Sequence, residues 1–282
     1  MRISKASFDL IVSEEVSSQA TYTKRYQNFE WPGGASGPTV GIGYDLGYCT
    51  KDEIARDWSG IVSDQTIAAL QAAAGLKGDA GRSFVAINGH SVTIPWSAAI
   101  QEFREREIPK WENKANRALP NTELLAADSY GALVSICYNR GTGGFTSSAD
   151  RFRELRAIRA LMISKQFDQI PAQIRSMKRL WNNGLVGRRE REARLFENGL
   201  QVAAGKPVQP IPTRKEIVVK TATKAGAATG AGTGAGTAVT APQHAHWLVP
   251  LTVIISVAIV VCVTLYVMRH RRLPKADPEV ST

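Results

Sequence analysis

The sequence predicts an α+β chain that is mainly α, with one short β element and a C-terminal transmembrane helix. Three observations lead there. Helix-period apolar stripes recur through most of residues 8–200, one stretch at 39–45 alternates with a period of two, and Leu248 to Met268 runs for 21 residues without a charge. A length of 282 and a hydrophobic content of 44% allow one or two domains with a sizeable core.

Met1 to Lys5 carries charge with no apolar run behind it, so it does not read as a signal peptide. Phe8 to Tyr22 reads as a helix, in which Phe8, Ile11, Val12 and Glu15 fall at i, i+3, i+4 and i+7. Glu15 therefore shares the inward stripe, while Glu14 points elsewhere and Glu14→Gln should be close to neutral. A carboxyl on a core-facing stripe loses water, which favours its protonated form and makes it a candidate proton donor. A structural bridge from Glu15 to an arginine is the alternative.

The turn-rich run Trp31-Pro32-Gly33-Gly34-Ala35 reverses the chain ahead of Ser36 to Gly47. From Thr39 on, Val40, Ile42 and Tyr44 fall on one face, and Thr39, Gly41, Gly43 and Asp45 on the other. That second face, with a hydroxyl, two bare glycines and a carboxylate, has the profile of a cleft floor. In a flat strand Thr39 and Asp45 would stand about 20 Å apart at ~3.3 Å per residue, so they share a site only if the chain bends at Gly41 and Gly43. An edge hairpin whose glycines serve packing is the alternative. Glycines at 41, 43 and 47 miss the spacing of a dinucleotide loop.

Thr50-Lys51-Asp52-Glu53 is a capping box opening a helix through Trp58, and Ser63 caps a second helix, Asp64 to Ala74, stopped by Gly75. Gly75 to Pro95 has no clear period and reads as a loop. Ser97 starts a helix whose Glu102-Phe103-Arg104-Glu105-Arg106-Glu107 run reads as a solvated, ion-paired face, and Pro109 kinks or restarts the chain. Asn121 to Tyr138 is the candidate central helix, ended by Asn139-Arg140-Gly141-Thr142-Gly143-Gly144. Asp150 to Ile163 and Phe167 to Met177 read as further helices. The last, Arg188 to Glu197, has Gly199 as its stop, and its arginines read as a solvated, ion-paired face in preference to contacts with substrate carboxylates.

Charge is uneven along the chain. Residues 1–204 hold 26 basic and 22 acidic side chains, and the remainder 9 and 3, within an overall net charge of +10. The mildly basic globular part suits an anionic polymer such as cell wall, and no aromatic-studded basic strand or recognition-helix pattern points to nucleic acid. Cys49, Cys137 and Cys262 have no metal spacing and read as buried thiols, with a Cys49–Cys137 disulfide the alternative. No cofactor or metal is expected; His244 and His246 read as a short solvated pair beside the membrane.

Residues 206–246 turn Pro-rich and then become close to a repeat of Ala, Gly and Thr, the composition of a disordered tether after a domain at 1–205. The apolar run spans about 31 Å at ~1.5 Å per residue, and with Trp247 it makes residues 247–268 a membrane helix ahead of a basic tail at 269–282. Arg269, Arg271, Arg272 and Lys275 follow at once, which places the tail in the cytoplasm and the domain outside; a tail-anchored enzyme facing the cytoplasm is the alternative.

Thr39-Val40-Gly41-Ile42-Gly43-Tyr44 resembles the T-I-G-x-G-[HY] strand of phage-type lysozymes. Ala132 to Gly143 is similar to their A-L-V-S-F-x-F-N-x-G-x-G helix and turn, and Gly184 to Glu192 to their G-L-x-x-R-R-x-x-E close. The resemblance covers about residues 8–200. It implies a mainly α lysozyme fold with a small hairpin lobe, a helical lobe and a cleft between them. Phage-type enzymes place their acid in an E-G-x5-Y-x-D pattern, whereas here Val16 replaces the Gly and Lys24 stands where the Asp would be. Pesticin-like muramidases, with a Glu, a Thr some two dozen residues on and an Asp six beyond it, match Glu15, Thr39 and Asp45 more closely.

The resemblance implies a muramidase acting on peptidoglycan strands, with Glu15 as acid, Asp45 as the charged partner, Thr39 positioning water, and inversion of configuration. Glu30 is the reserve second carboxylate. Tyr44, Gly41, Gly43, Asn139 and Arg140 are the candidate substrate-binding residues. An inactive wall-binding module tethered to the membrane is the alternative. The expected partners are glycan strands and the membrane; the sequence offers no protein-partner motif.

Overall fold

The structure, a computed structural model, describes residues 2–181, 185–214 and 216–217. It is mainly helical with a two-stranded sheet. The tether beyond Ile217, the apolar run and the basic tail lie outside the described residues, as does Cys262. Among the described residues no helix is long and apolar enough to cross a membrane.

Helix α1 (Lys5–Val16) starts where the Ser4 side chain accepts from the Ser7 amide. It does not continue to Tyr22. Ser17 takes a φ of +64°, in the left-handed region, and Ser18 caps a second helix, α2 (Gln19–Arg25), through the Thr21 amide. Consecutive serines compete for backbone partners and so favour a cap over a helix interior. Glu15 thereby sits in the last turn of α1.

Strands β1 (Thr39–Val40) and β2 (Tyr44–Asp45) pair antiparallel, with Thr39 opposite Asp45 and Val40 opposite Tyr44. Next come α3 (Lys51–Trp58), opened by the expected capping box, and α4 (Asp64–Gln71), capped by Ser63. Helix α5 (Asp79–Asn88) occupies the stretch expected to be a loop. Gly78 supplies no side-chain cap, so no cap signal marks its start, while Phe84 and Val85 turn one face of it onto the core.

Helix α6 (Trp96–Glu102) passes through a π turn at Phe103–Glu107 into α7 (Ile108–Ala118). Pro109 lacks an N–H and crowds the preceding turn, and the widened turn accommodates both demands. The Glu102 to Glu107 run is not simply a solvated face. Glu102 is 1% exposed, and its Oε1 has no hydrogen-bond partner.

Helix α8 (Ala127–Arg140) forms the centre, with every residue from Ser129 to Cys137 buried. Around it lie α9 (Arg153–Ser164), α10 (Ile170–Ser176) and α11 (Leu185–Ala203). Helices α1, α7 and α11 all pack on α8. Glycine lets the backbones come close: a Cβ on Gly199 would stand 2.2 Å from Ser129 Oγ. Gly199 is thus a crossing point and not the expected stop, and α11 runs on to Ala203, before Gly205 at a φ of +65°. Cys49 and Cys137 are both free thiols.

Burial pushes the Glu102 carboxyl up to about 8 from an ordinary 4.5, and the facing carboxylates Glu107 and Asp57 add to the shift while Lys110 and Arg106 oppose it. The folded chain therefore keeps a proton that the unfolded chain releases. The associated stability is complete below about pH 4.5 and is lost as pH rises through about 8. Glu102→Gln should flatten the fall in thermal midpoint between pH 5 and 8.5; parallel melting profiles for the two proteins would contradict this.

Candidate active site

The hairpin settles how Thr39 and Asp45 meet. Gly41 and Gly43 adopt φ of +63° and +78°, so Gly41-Ile42-Gly43 forms a three-residue loop and the chain folds back on itself. Val40, Ile42 and Tyr44 are buried, as the alternation predicts. Glu30 forms a further antiparallel bridge to Thr39, with amide-to-carbonyl distances of 2.9 and 2.8 Å. Residues directly opposite in such pairs project from one face. Glu30, Thr39 and Asp45 therefore form a row, with the hydroxyl between two carboxylates.

The two carboxylates differ in setting. Asp45 Oδ1 accepts from the amides of Gly37 at 3.0 Å and Gly47 at 2.9 Å, which fixes it as the cap of the turn at Leu46–Tyr48. Among the described residues no hydrogen bond or ion pair holds the Glu30 carboxyl, and its burial, opposed by the charge of Arg25, raises it above the usual carboxylate range. Thr39 Oγ1 donates to Gly37 O at 3.2 Å.

Glu15 comes from a different element, the last turn of α1. Its side chain is 28% exposed, and Arg188 of α11 holds Oε1 at 2.8 Å. The carboxyl is thus ion-paired instead of standing alone in an apolar setting. Arg188 is nearly buried and also donates to Glu192 Oε1 at 3.1 Å and to Ser135 Oγ at 3.3 Å. Burial lowers Arg188, but Glu192 and Glu15 outweigh it and hold the guanidinium above its ordinary value. Ser135 donates to Glu192 at 2.6 Å, and Arg189 Nε lies 3.1 Å from Glu192 Oε2, an ion contact without hydrogen-bond alignment.

The face of α11 expected to be solvated is consequently the most buried charged surface in the described chain. Arg188, Arg189, Arg191 and Glu192 are all buried. Glu14 belongs to the same system: its side chain is 5% exposed and pairs with Arg191 at 2.5 Å and with Arg214 at 3.2 Å. It is a structural anion, so the expectation that Glu14→Gln is neutral does not stand.

Tyr138 connects the two halves. A Cβ on Gly43 would lie 3.4 Å from its hydroxyl, and desolvation followed by the charge of Glu15 raises Tyr138 above the ordinary phenol range. Trp111 and Phe103 meet its ring edge-on at 5.4 and 5.6 Å. Gly43 at the hairpin tip thus faces the Tyr138 hydroxyl at ordinary contact distance, and its φ of +78° is what calls for glycine there.

The remaining expected site residues divide. Tyr44 is buried, donates to Asp57 Oδ2 at 3.0 Å and meets Trp58 edge-on, so it serves the core. Gly41 is buried against Trp58. Asn139 is exposed and accepts from Arg189 at 2.7 Å. Arg140 lies over the Trp181 ring at 5.0 Å and the Phe152 ring at 5.4 Å; burial and the neighbouring Arg189 bring it down to about 10.

Arg188, Glu192, Ser135 and Tyr138 received no role from the sequence. One signal was present: Arg188, Glu192, Leu195 and Gly199 follow a helical stripe on α11. Two surface depressions, of about 610 and 510 Å³, flank α11 and the segment after it, and neither is lined by Glu15, Thr39 or Asp45.

Residues 9–118 match the model of a family described as a domain of unknown function, DUF8812. The match takes in Glu15, Glu30, Thr39 and Asp45 and ends before α8 and α11. No curated protein matches the chain.

Proposed function

We propose that this chain is a membrane-anchored muramidase of lysozyme-like fold that cleaves the β-1,4 link between N-acetylmuramic acid and N-acetylglucosamine in peptidoglycan. One observation carries the reading. A partly exposed Glu15 is held by Arg188, Glu30, Thr39 and Asp45 share a face of a glycine-tipped hairpin, and Tyr138 faces the tip of that hairpin and feels the charge of Glu15. The motif resemblance to phage-type and pesticin-like lysozymes supports it.

In this reading Glu15 protonates the glycosidic oxygen as the C–O bond breaks. Water positioned by the Thr39 hydroxyl adds to the anomeric carbon and gives its proton to Asp45, so configuration inverts and no cofactor takes part. Arg188 holds one Glu15 oxygen, and in this reading the other carries the proton. Tethering Asp45 through Oδ1 leaves Oδ2 for water.

A second reading, a wall-binding module without turnover, has its own support. Glu15 is ion-paired, and Asp45 is used in a local cap. The two readings separate on digestion of purified cell wall, with mass spectrometry of the released reducing ends.

Glu15→Gln should lower hydrolysis by about 10²–10⁴-fold while glycan binding persists, because the amide keeps the shape and loses the proton. Glu14→Gln should act on stability instead, costing about 1–3 kcal/mol by leaving Arg191 and Arg214 short of a partner. Wild-type turnover in Glu15→Gln would remove the mechanism.

Asp45→Asn retains the acceptor for Gly37 and Gly47 and removes only charge, so it tests chemistry separately from folding. It should be crippling and Glu30→Gln mild. The opposite ranking would move the second carboxylate to Glu30, and two mild effects would favour the binding module.

The proposed anchor, residues 247–268, would set the domain outside the cell; with residues through 217 held on the domain, the tether left is 218–246, with a coil reach of about 30 Å. Protease added to spheroplasts should remove the domain and spare a tag at Thr282. Cleavage of the tag with survival of the domain would reverse the orientation.

A further inference from the structure

The chain does not leave the domain at Gly205. Asn198 and Gln209 exchange two hydrogen bonds, side-chain Nδ2 to carbonyl at 2.8 Å and amide to Oδ1 at 2.9 Å. Ile211 packs against the core. Thr213 and Glu216 cap one another reciprocally, at 2.6 and 3.3 Å. The tether expected from residue 206 on thus begins as a strap laid across α11 and α1.

Arg214 is where the strap meets α1. Its Nη2 donates to Ser13 O at 2.7 Å, to Glu14 O at 3.3 Å and to Glu14 Oε2 at 3.2 Å, and its Nη1 to Ser17 Oγ at 3.2 Å. These acceptors are the last turn of α1, the turn that carries Glu15. A helix end leaves carbonyls without intrahelical partners and concentrates partial negative charge there, and a guanidinium meets both needs. Here the need is acute, because Ser17 breaks the helix in the left-handed region within two residues of Glu15.

We infer that Arg214 is a positioning residue: by closing the C-terminal turn of α1 it sets the Glu15 carboxyl relative to the hairpin. The inference rests on the reading of Glu15 as the acid. Helix α11 grips this turn at two points, Arg188 on Glu15 and Arg191 on Glu14. Both reach it from one side. Arg214 supplies the grip along the helix axis, and it alone of the three engages the backbone of that turn. A shift of about 1 Å at a reacting group costs on the order of 10²-fold in rate. A frayed terminal turn moves a side chain by at least that much.

The test uses the full chain, with Arg214→Ala, Arg214→Lys and, as a control in the same strap, Lys206→Ala, assayed on soluble peptidoglycan fragments. Arg214→Ala should lower kcat by about 10–100-fold with KM within about twofold. Arg214→Lys should recover part of the loss, since a point cation reaches fewer acceptors than the planar fork. Lys206→Ala should match wild type. Independently of activity, amide exchange at Val16–Ser18 should quicken in Arg214→Ala and not in Lys206→Ala. Wild-type kcat in Arg214→Ala, alongside a dead Glu15→Gln, would overturn the inference and leave the proposed function standing. Unchanged exchange at Val16–Ser18 would overturn it whether or not the protein is a hydrolase, and so would a fall in kcat that merely tracks loss of folded protein by circular dichroism.

Discussion

Everything around Glu15 depends on one buried guanidinium. Arg188 lies between Glu15, Glu192 and Ser135, and through them it ties α11 to α1 and α8. Taking such charges out of water is expensive, and the cost is recovered only where geometry and hydrogen bonds are complete. Breaking a buried pair by removing one partner typically costs about 3–5 kcal/mol, so the network is intolerant of partial loss. It also gives Glu15 one defined place, because the arginine that fixes it is itself fixed by a carboxylate with no exposure.

The close approach of α11 to α8 is what makes that network geometrically possible. Gly199 presents no side chain to Ser129, whose hydroxyl then reaches the Phe196 carbonyl at 2.7 Å. Seven residues earlier on the same stripe stands Glu192, facing Ser135. The crossing thus sets Arg188 and Glu192 at the depth of α8, beside the end of α1. The hairpin tip at Gly43 faces the hydroxyl of Tyr138, near the end of α8. The candidate chemistry sits on rigid elements at both ends, the arrangement that a reaction sensitive to small displacements requires.

Legibility in the sequence followed the range of the forces involved. The caps at Thr50 and Ser63 were readable because cap and acceptor lie three residues apart. The bend at Gly41 and Gly43 was readable because glycine's freedom at positive φ is intrinsic to the residue. Helix α5 was missed because Gly78 at its start offers no side-chain cap and its short apolar face, Phe84 and Val85, sits among glycines and polar residues. The end of α1 at Ser17 was missed for a related reason: apolar periodicity carries through to Tyr22, and two serines outweigh it by capping locally. Among the expected site residues, Glu15, Thr39 and Asp45 lie at half-buried positions, and Tyr44 belongs to the core.

The sequence by itself determined that the chain is mainly helical and that Gly41 and Gly43 are where it could bend, whereas it placed Glu15 inward and Glu14 elsewhere when Glu14 is the more buried, 5% against 28% exposed. Only the tertiary structure decided what each charge meets. Arg188 and Glu15 are 173 positions apart, and Arg214 and Glu14 are 200 apart. Arg-Arg-Glu-Arg-Glu in α11 reads as a solvated face because charged residues prefer water unless something pairs them. Whether something does depends on which helix covers that face. Periodicity and capping act within about four residues and leave their mark on the local sequence. Desolvation and ion pairing depend on distant segments arriving together, and no stretch of sequence carries that information alone.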